Sequence, residues 1–119
     1  MYEYKAKLLR VVDGDTVDIL IDCGFSTFKK ERVRLYGINT PETRTRDKAE
    51  KKKGLAAKAR LKELFKQSKN NVIIETYVDK RGKYGRLLGV LFNSVDSDRS
   101  LNQILIDEGH AVEYFIGKN

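Results

Sequence analysis

Three short segments of the 119-residue chain gather carboxylates, guanidiniums and hydroxyls where the chain turns. The first is Val12-Asp13-Gly14-Asp15-Thr16-Val17. Two carboxylates flank a glycine, no Lys or Arg follows until Lys29, and Asp22 closes the next stretch. A locally anionic turn suits a hard cation such as Ca²⁺ or Mg²⁺, which takes oxygen ligands. It is too short for an EF-hand loop, and such a triplet alone is more often a plain hairpin turn. The second segment is Val33-Arg34-Leu35-Tyr36-Gly37-Ile38-Asn39-Thr40-Pro41-Glu42-Thr43. Arg34 stands among strand-type apolar residues, where an unpaired guanidinium is costly. Either it pairs with a carboxylate, an ion pair with a glutamate being the bland case, or it faces a site. Pro41 pins a turn that presents Asn39, Thr40 and Glu42. The third, Lys83-Tyr84-Gly85-Arg86, is either a phosphate clamp or an exposed hairpin tip.

Composition limits the chemistry further. The single histidine, His110, removes most histidine-based mechanisms, and the single cysteine, Cys23, excludes an internal disulfide framework. These two read as a helix-end residue and a turn or edge thiol. With 40% hydrophobic and 34% charged residues the chain is globular but highly charged. The net charge of +7 is unevenly placed: residues 44–69 hold 11 basic and 3 acidic side chains, and the remainder 13 and 14. A segregated basic excess points to a polyanion, nucleic acid first, or else to a solvated lysine-rich helix face. No apolar stretch approaches the ~20 residues of a membrane span. Met1 leads directly into a strand-like pattern without an apolar leader, so an intracellular location is expected of the chain as written, or secretion if a leader has been trimmed away.

The elements that must position these residues follow from periodicity. Residues 2–12, 16–22 and 25–36 read as strands; Val17, Ile19 and Ile21 alternate with Asp18 and Leu20. Asp13-Gly14-Asp15 and Cys23-Gly24 mark the turns of an antiparallel meander. Residues 37–53 read as irregular. A helix is predicted over 54–68, with Ala57, Leu61, Leu64 and Phe65 on one stripe, broken by Asn70-Asn71. Strands follow at 72–78 and 87–92. A second helix starts at Ser100, with Gln103 completing a capping-box pattern, Leu101, Ile104 and Leu105 as its apolar stripe, and Gly109 as its stop. A final extended piece covers 111–116. The fold class is mainly β with two helices: one domain over 1–119, a five-stranded OB-type Greek-key barrel.

In order and spacing the three segments resemble the staphylococcal-nuclease-like (thermonuclease) family, over nearly the whole chain. The family pattern is Asp-Gly-Asp-Thr, then Arg-Leu-x-Gly-Ile-Asp-x-Pro-Glu, then Lys-Tyr-Gly-Arg. The resemblance implies a Ca²⁺-dependent phosphodiesterase acting on DNA or RNA and leaving 3′-phosphate ends. It implies that Asp15, Asn39 and the Thr40 carbonyl hold the metal. It implies that Arg34 and Arg86 grip the scissile phosphate, that Glu42 orients or deprotonates water, and that Lys83 and Tyr84 contact a neighbouring phosphate. Tyr114 and Phe115 lie where family members place base-stacking aromatics. The expected partner is single-stranded nucleic acid, bound by a monomer with no membrane involved. A nucleic-acid-binding module without chemistry is the alternative.

The chain departs from the pattern twice. Asn39 replaces the family's second metal-binding aspartate, which keeps an oxygen donor but removes its charge, so weaker ion binding is expected. The chain also ends at Asn119, without the third helix that continues the best-known member, so a modest core or a covering partner is expected.

Overall fold

The computed structural model describes residues 2–79, 86–93 and 98–114. Its first strand, β1 (Tyr2–Asp13), runs antiparallel to β2 (Thr16–Asp22), which runs antiparallel to β3 (Phe28–Leu35). A two-residue strand, β4 (Ile38–Asn39), precedes helix α1 (Lys48–Lys66). Then come β5 (Asn71–Asp79), β6 (Arg86–Asn93), helix α2 (Leu101–Asp107) and the short β7 (Val112–Glu113). The five long strands close into a barrel in the order β1-β2-β3-β6-β5, with β5 returning to β1. Closure makes the β3–β6 seam parallel, and only Val33, Arg34 and Leu35 pair across it, with Leu87, Leu88 and Gly89. This is the expected OB-type barrel with two helices.

Strand alternation explains the core. Val17, Ile19 and Ile21 point inward on β2, and Val33 and Leu35 do so on β3. Register shifts between Leu8 and Arg10 and between Val11 and Asp13 show where β1 bulges to follow the barrel. The stripe Ala57, Leu61, Leu64 and Phe65 is buried on α1, and Leu101, Ile104 and Leu105 are buried on α2. Each such Leu or Phe contributes about 1.5–3 kcal/mol of burial.

The extent of α1 corrects one expectation. Residues 48–53 are helical rather than irregular, because Asp47 caps the helix by accepting from the Ala49 and Glu50 backbone N–H groups. This first part carries lysines and no core residue, so apolar periodicity does not reveal it. Residues 38–39 are likewise ordered, pairing antiparallel with β7. At its other end α1 stops with Lys69 and Asn70 at positive φ, while the Asn70 N–H bonds back to the Phe65 carbonyl. The strand expected over 25–36 is shorter, since Gly24, Phe25 and Ser26 all have positive φ and form the turn. The capping box of α2 is half made: Ser100 accepts from the Gln103 N–H, but the Gln103 side chain bonds Asp107. Gly109 ends α2 at φ 80°, as its place in the sequence requires.

Two polar devices fasten the helices. Arg60 of α1 forks onto Glu108 beyond α2, with Nε to Oε1 at 2.6 Å and Nη2 to Oε2 at 2.8 Å. That bond, chiefly, holds the Glu108 carboxyl below its usual range. Asn102 is buried on α2: its Oδ1 accepts from the Leu91 N–H at 3.1 Å, and its Nδ2 donates to the carbonyls of Tyr36 and Gly89 at 2.9 and 3.0 Å. One side chain thus ties α2 to β6 and to the chain leaving β3.

Replacing Asn102 by Ala removes hydrogen bonds from the Leu91 N–H and the Tyr36 and Gly89 carbonyls and is expected to cost about 1–3 kcal/mol in urea unfolding. An Asn102→Ala protein as stable as wild type would refute that role. Because folding lowers the Glu108 pKa, its stabilisation is present at neutral pH and lost as the pH falls through the depressed folded value. Glu108→Gln is expected to cost about 0.5 kcal/mol at pH 7, after allowance for solvent screening. The difference from wild type should disappear in acid, which chemical denaturation at a series of pH values measures.

Candidate active site

The Asp13-Gly14-Asp15-Thr16 turn joins β1 to β2, with Asp13 paired to Thr16. Its tightness has a packing reason besides the turn itself. A Cβ on Gly14 would lie 2.9 Å from the Ala57 Cβ and 2.9 Å from the Thr40 Oγ1, so glycine lets the hairpin seat between α1 and the 39–42 turn. Asp15 is fixed from several sides. Its backbone carbonyl accepts from the Leu35 N–H at 2.8 Å, its Oδ1 accepts from the Thr16 hydroxyl at 3.1 Å, and its Oδ2 accepts from the Thr40 N–H at 3.3 Å. Asp13 is held by the Thr43 hydroxyl.

Arg34 stands on β3 opposite Thr16, on the strand's outer face between inward-pointing Val33 and Leu35. Its side chain and that of Asp15 are each only 14% exposed, and their nearest charged atoms are 3.7 Å apart. Its Nη2 also donates to the Asn39 Oδ1 at 3.2 Å, and the guanidinium sits 5.3 Å from the centre of the Tyr114 ring. The two possibilities left by the sequence are therefore both realised. The guanidinium is paired, with Asp15 rather than a glutamate, and it faces a cleft.

That cleft, about 350 Å³, is lined by Asp13, Asp15, Arg34, Asn39, Thr40, Pro41, Glu42, Thr43 and Arg44. It gathers five of the expected site residues: Asp15, Arg34, Asn39, Thr40 and Glu42. Glu42 is exposed at the rim, and its carboxylate makes no hydrogen bond or ion pair among the described residues. Its backbone, by contrast, is clamped. A Cβ on Gly54 of α1 would lie 2.6 Å from the Glu42 carbonyl oxygen and 2.7 Å from that of Pro41. Helix α1 thus presses its glycine onto the turn that carries Glu42. A wider cleft of about 610 Å³ lies along the same turn and is walled by Glu50, Lys53, His110 and Val112 among others.

Lys83 and Tyr84 lie outside the described residues, as does Phe115. Arg86 opens β6 with its backbone paired to Asp79, and its side chain is outside the described part. Arg44 lines the cleft although the sequence placed it only in the basic segment; its position just after Glu42 was the available signal.

The donors that Asp15, Asn39 and Thr40 offer are all oxygens, the chemistry of a hard cation. Among the described residues no three His, Cys, Asp or Glu side chains converge on one point. Three oxygens are also engaged: Asn39 Oδ1 by Arg34, Asp15 Oδ1 by the Thr16 hydroxyl and Asp15 Oδ2 by the Thr40 N–H. The set fits a cation with a single close carboxylate, completed by water or a bound anion.

Barrel and cleft together define an OB-fold protein with a mixed carboxylate–guanidinium site on its outer surface. The chain belongs to the staphylococcal nuclease homologue family, whose profile matches residues 32–119. It is 34% identical over 102 residues to Endonuclease YncB of Bacillus subtilis, a match covering 86% of this chain and 44% of that protein. With the SPbeta prophage-derived endonuclease YokF of the same organism the figures are 35% over 102 residues, 86% and 31%. With Protein ParB of Escherichia coli they are 25% over 118 residues, 94% and 58%. The chain thus spans between 31% and 58% of the length of these curated relatives. Among the described residues no helix is long and apolar enough to cross a membrane.

Gly54→Ala tests the clamp. Helix propensity alone favours alanine by about 1 kcal/mol. The contact with two carbonyl oxygens reverses the sign, and a net loss of about 1–3 kcal/mol is expected in thermal or urea unfolding. A stabilised Gly54→Ala protein would show that the helix and turn are not in this contact.

Proposed function

We propose that the chain is a Ca²⁺-dependent nuclease that hydrolyses phosphodiester bonds of DNA or RNA, with single strands preferred. The observation that carries this reading is the meeting of Asp15, Arg34, Asn39, Thr40 and Glu42 in one cleft. A phosphodiester is anionic and repels its nucleophile, so a site must supply positive charge and a proton acceptor on one side of it. The Arg34 guanidinium supplies donors that strengthen as charge grows on the phosphoryl oxygens. Arg86, the first residue of β6, is assigned the same task. Lys83 and Tyr84 are assigned to a neighbouring phosphate. Glu42 is exposed and has no partner among the described residues, so its carboxylate is available to take a proton from water. The water oxygen then bonds to phosphorus as the P–O5′ bond breaks. The 5′-oxygen leaves, takes a proton from solvent water to become a hydroxyl, and the phosphate stays on the 3′ end; Glu42 returns its proton to solvent.

The Asp15 carboxylate, the Asn39 amide oxygen and the Thr40 carbonyl are the groups that would hold Ca²⁺. The ion supplies charge neutralisation and polarises a phosphoryl oxygen when bound. The Asn39 oxygen would share its lone pairs between Arg34 and the ion, and asparagine brings no charge. For this reason Asn39→Asp is expected to tighten Ca²⁺ binding by about tenfold in calorimetric titration. Unchanged or weaker binding would remove Asn39 from the metal site.

The engagement of Asn39 with Arg34 also favours a second reading, a nucleic-acid-binding module without cleavage. One assay separates the two. Single-stranded DNA and RNA are incubated with wild type and with Glu42→Gln, in Ca²⁺ or in chelator. Cleavage by wild type in Ca²⁺, lost in chelator and reduced about 10²–10⁴-fold in Glu42→Gln, supports the nuclease. Salt-sensitive binding without cleavage supports the module. Cleavage indifferent to both chelator and substitution comes from another enzyme and contradicts the proposal.

A further inference from the structure

One side of α1 carries charge of a single sign. Lys48, Lys51, Lys52, Lys58, Lys62 and Lys66 recur at helical spacing, with Leu55 and Ala59 completing the row. At 3.6 residues per turn these lysines fall within an arc of about 120° and extend along about 27 Å of helix. The buried residues Gly54, Ala57, Leu61, Leu64 and Phe65 lie on the other side. Lys58 is half-buried and the other lysines of the row are exposed. The acids of α1 stand outside the row: Glu50 walls the wider cleft, and Glu63 pairs with Arg60. No lysine of the row makes an ion pair among the described residues, whereas Lys29 on β3 stands 3.0 Å from Glu31. The row works against its own helix. Lys48 and Lys52, Lys58 and Lys62, and Lys62 and Lys66 are like charges four positions apart, a spacing that destabilises. Lys48, Lys51 and Lys52 also stand at the positive end of the helix dipole. Solubility requires net charge but not its alignment, so the row calls for an extended anion. It begins four residues after Arg44, which lines the narrower cleft, and four residues span at most about 14 Å.

We propose that the lysine row of α1 is a track for the phosphates of a nucleic-acid strand, leading it away from the cleft along the helix. The proposal rests on the nuclease or binding reading above and gives the strand a path beyond the scissile phosphate. Ammonium groups on flexible stems bind phosphates as point charges, so the track holds backbone and reads no sequence. A dinucleotide seated in the cleft is too short to run along the helix, and a long strand is not. An anionic lipid surface is the other extended anion, but it needs apolar side chains to bury, and the row offers Leu55, 48% exposed, as its one large apolar residue.

The test uses the full chain carrying Glu42→Gln, so that binding is measured without cleavage, with wild-type cleavage assayed in parallel. A long labelled oligothymidylate is compared with its dinucleotide over a series of salt concentrations. Lys52→Gln/Lys62→Gln/Lys66→Gln removes charge from the row and keeps helix-forming side chains. At about 0.1 M salt it is expected to weaken binding of the long strand about tenfold or more, and to flatten the slope of log K against log salt by about 2. The dinucleotide should bind as it does to the parent. The control Lys5→Gln/Lys29→Gln/Lys30→Gln removes the same charge from β1 and β3 and is expected to keep the parent's slope. Should the triple variant of the row melt early, Lys62→Gln alone is expected to flatten the slope by about 0.7. An unchanged slope in the row variants, or an equal loss in the control, overturns the track, and wild-type cleavage intact in Ca²⁺ then leaves the nuclease reading standing. Loss of binding to phosphatidylserine vesicles in the row variant, with strand binding unchanged, overturns it in favour of a lipid surface. Absence of any nucleic-acid binding or cleavage by wild type overturns both readings.

Discussion

One guanidinium organises this molecule. Arg34 lies on the outer face of β3 where the barrel closes, only 14% exposed, bracketed by the Asp15 carboxylate, the Asn39 amide and the Tyr114 ring. A cation so withdrawn from water requires partners, and each comes from a different piece of chain. Asp15 comes from the β1–β2 turn, Asn39 from β4, and Tyr114 from just beyond β7. The short parallel seam between β3 and β6 holds the arginine's own backbone. Placing Arg34 therefore amounts to closing the barrel and docking the β4–β7 pair on it.

The surroundings keep those partners in place by close backbone approach more than by long side chains. Gly14 brings the hairpin against Ala57 and Thr40, and Gly54 brings α1 against the carbonyls of Pro41 and Glu42. Asn102 reaches from α2 to the Tyr36 carbonyl, and the Tyr114 N–H bonds the Gly37 carbonyl at 2.8 Å. The segment 36–42 is thus held on both sides by helices, while Glu42 extends its carboxylate into water. A rigid backbone beneath an exposed acid suits general-base chemistry, since the acid must meet water without shifting its support. The basic excess of residues 44–69 takes a matching position. Arg44 lines the cleft, and Lys48, Lys51, Lys52, Lys62 and Lys66 are exposed along α1. The composition that suggested a polyanion partner lies next to the cleft more than in it.

Much of this was legible in the sequence, for identifiable reasons. Alternation marked β2, the 57, 61, 64, 65 stripe marked the buried face of α1, and the first two short segments marked the cleft. What escaped has equally physical causes. The lysine-rich start of α1 has no apolar residue to reveal its period, and its only signal was the Asp47 cap. Asn102 sits between apolar stripe residues, and its three hydrogen bonds reach partners 11, 13 and 66 positions away. The Tyr36–Tyr77 stack depends on barrel closure, which brings together residues with no local relation. Arg34 was recognised as paired or catalytic, and only the register of β2 and β3 shows that Asp15 is within reach.

The most direct measurement is the single-turnover cleavage rate of Arg34→Lys on a single-stranded oligonucleotide in Ca²⁺, with folding checked by circular dichroism. Lysine keeps the positive charge but loses the planar fork of donors. If the guanidinium both pairs with Asp15 and binds the phosphoryl oxygens, Arg34→Lys should fold as wild type does and cleave about 10²–10³-fold more slowly. A folded Arg34→Lys protein that cleaves as fast as wild type would contradict the account at its centre.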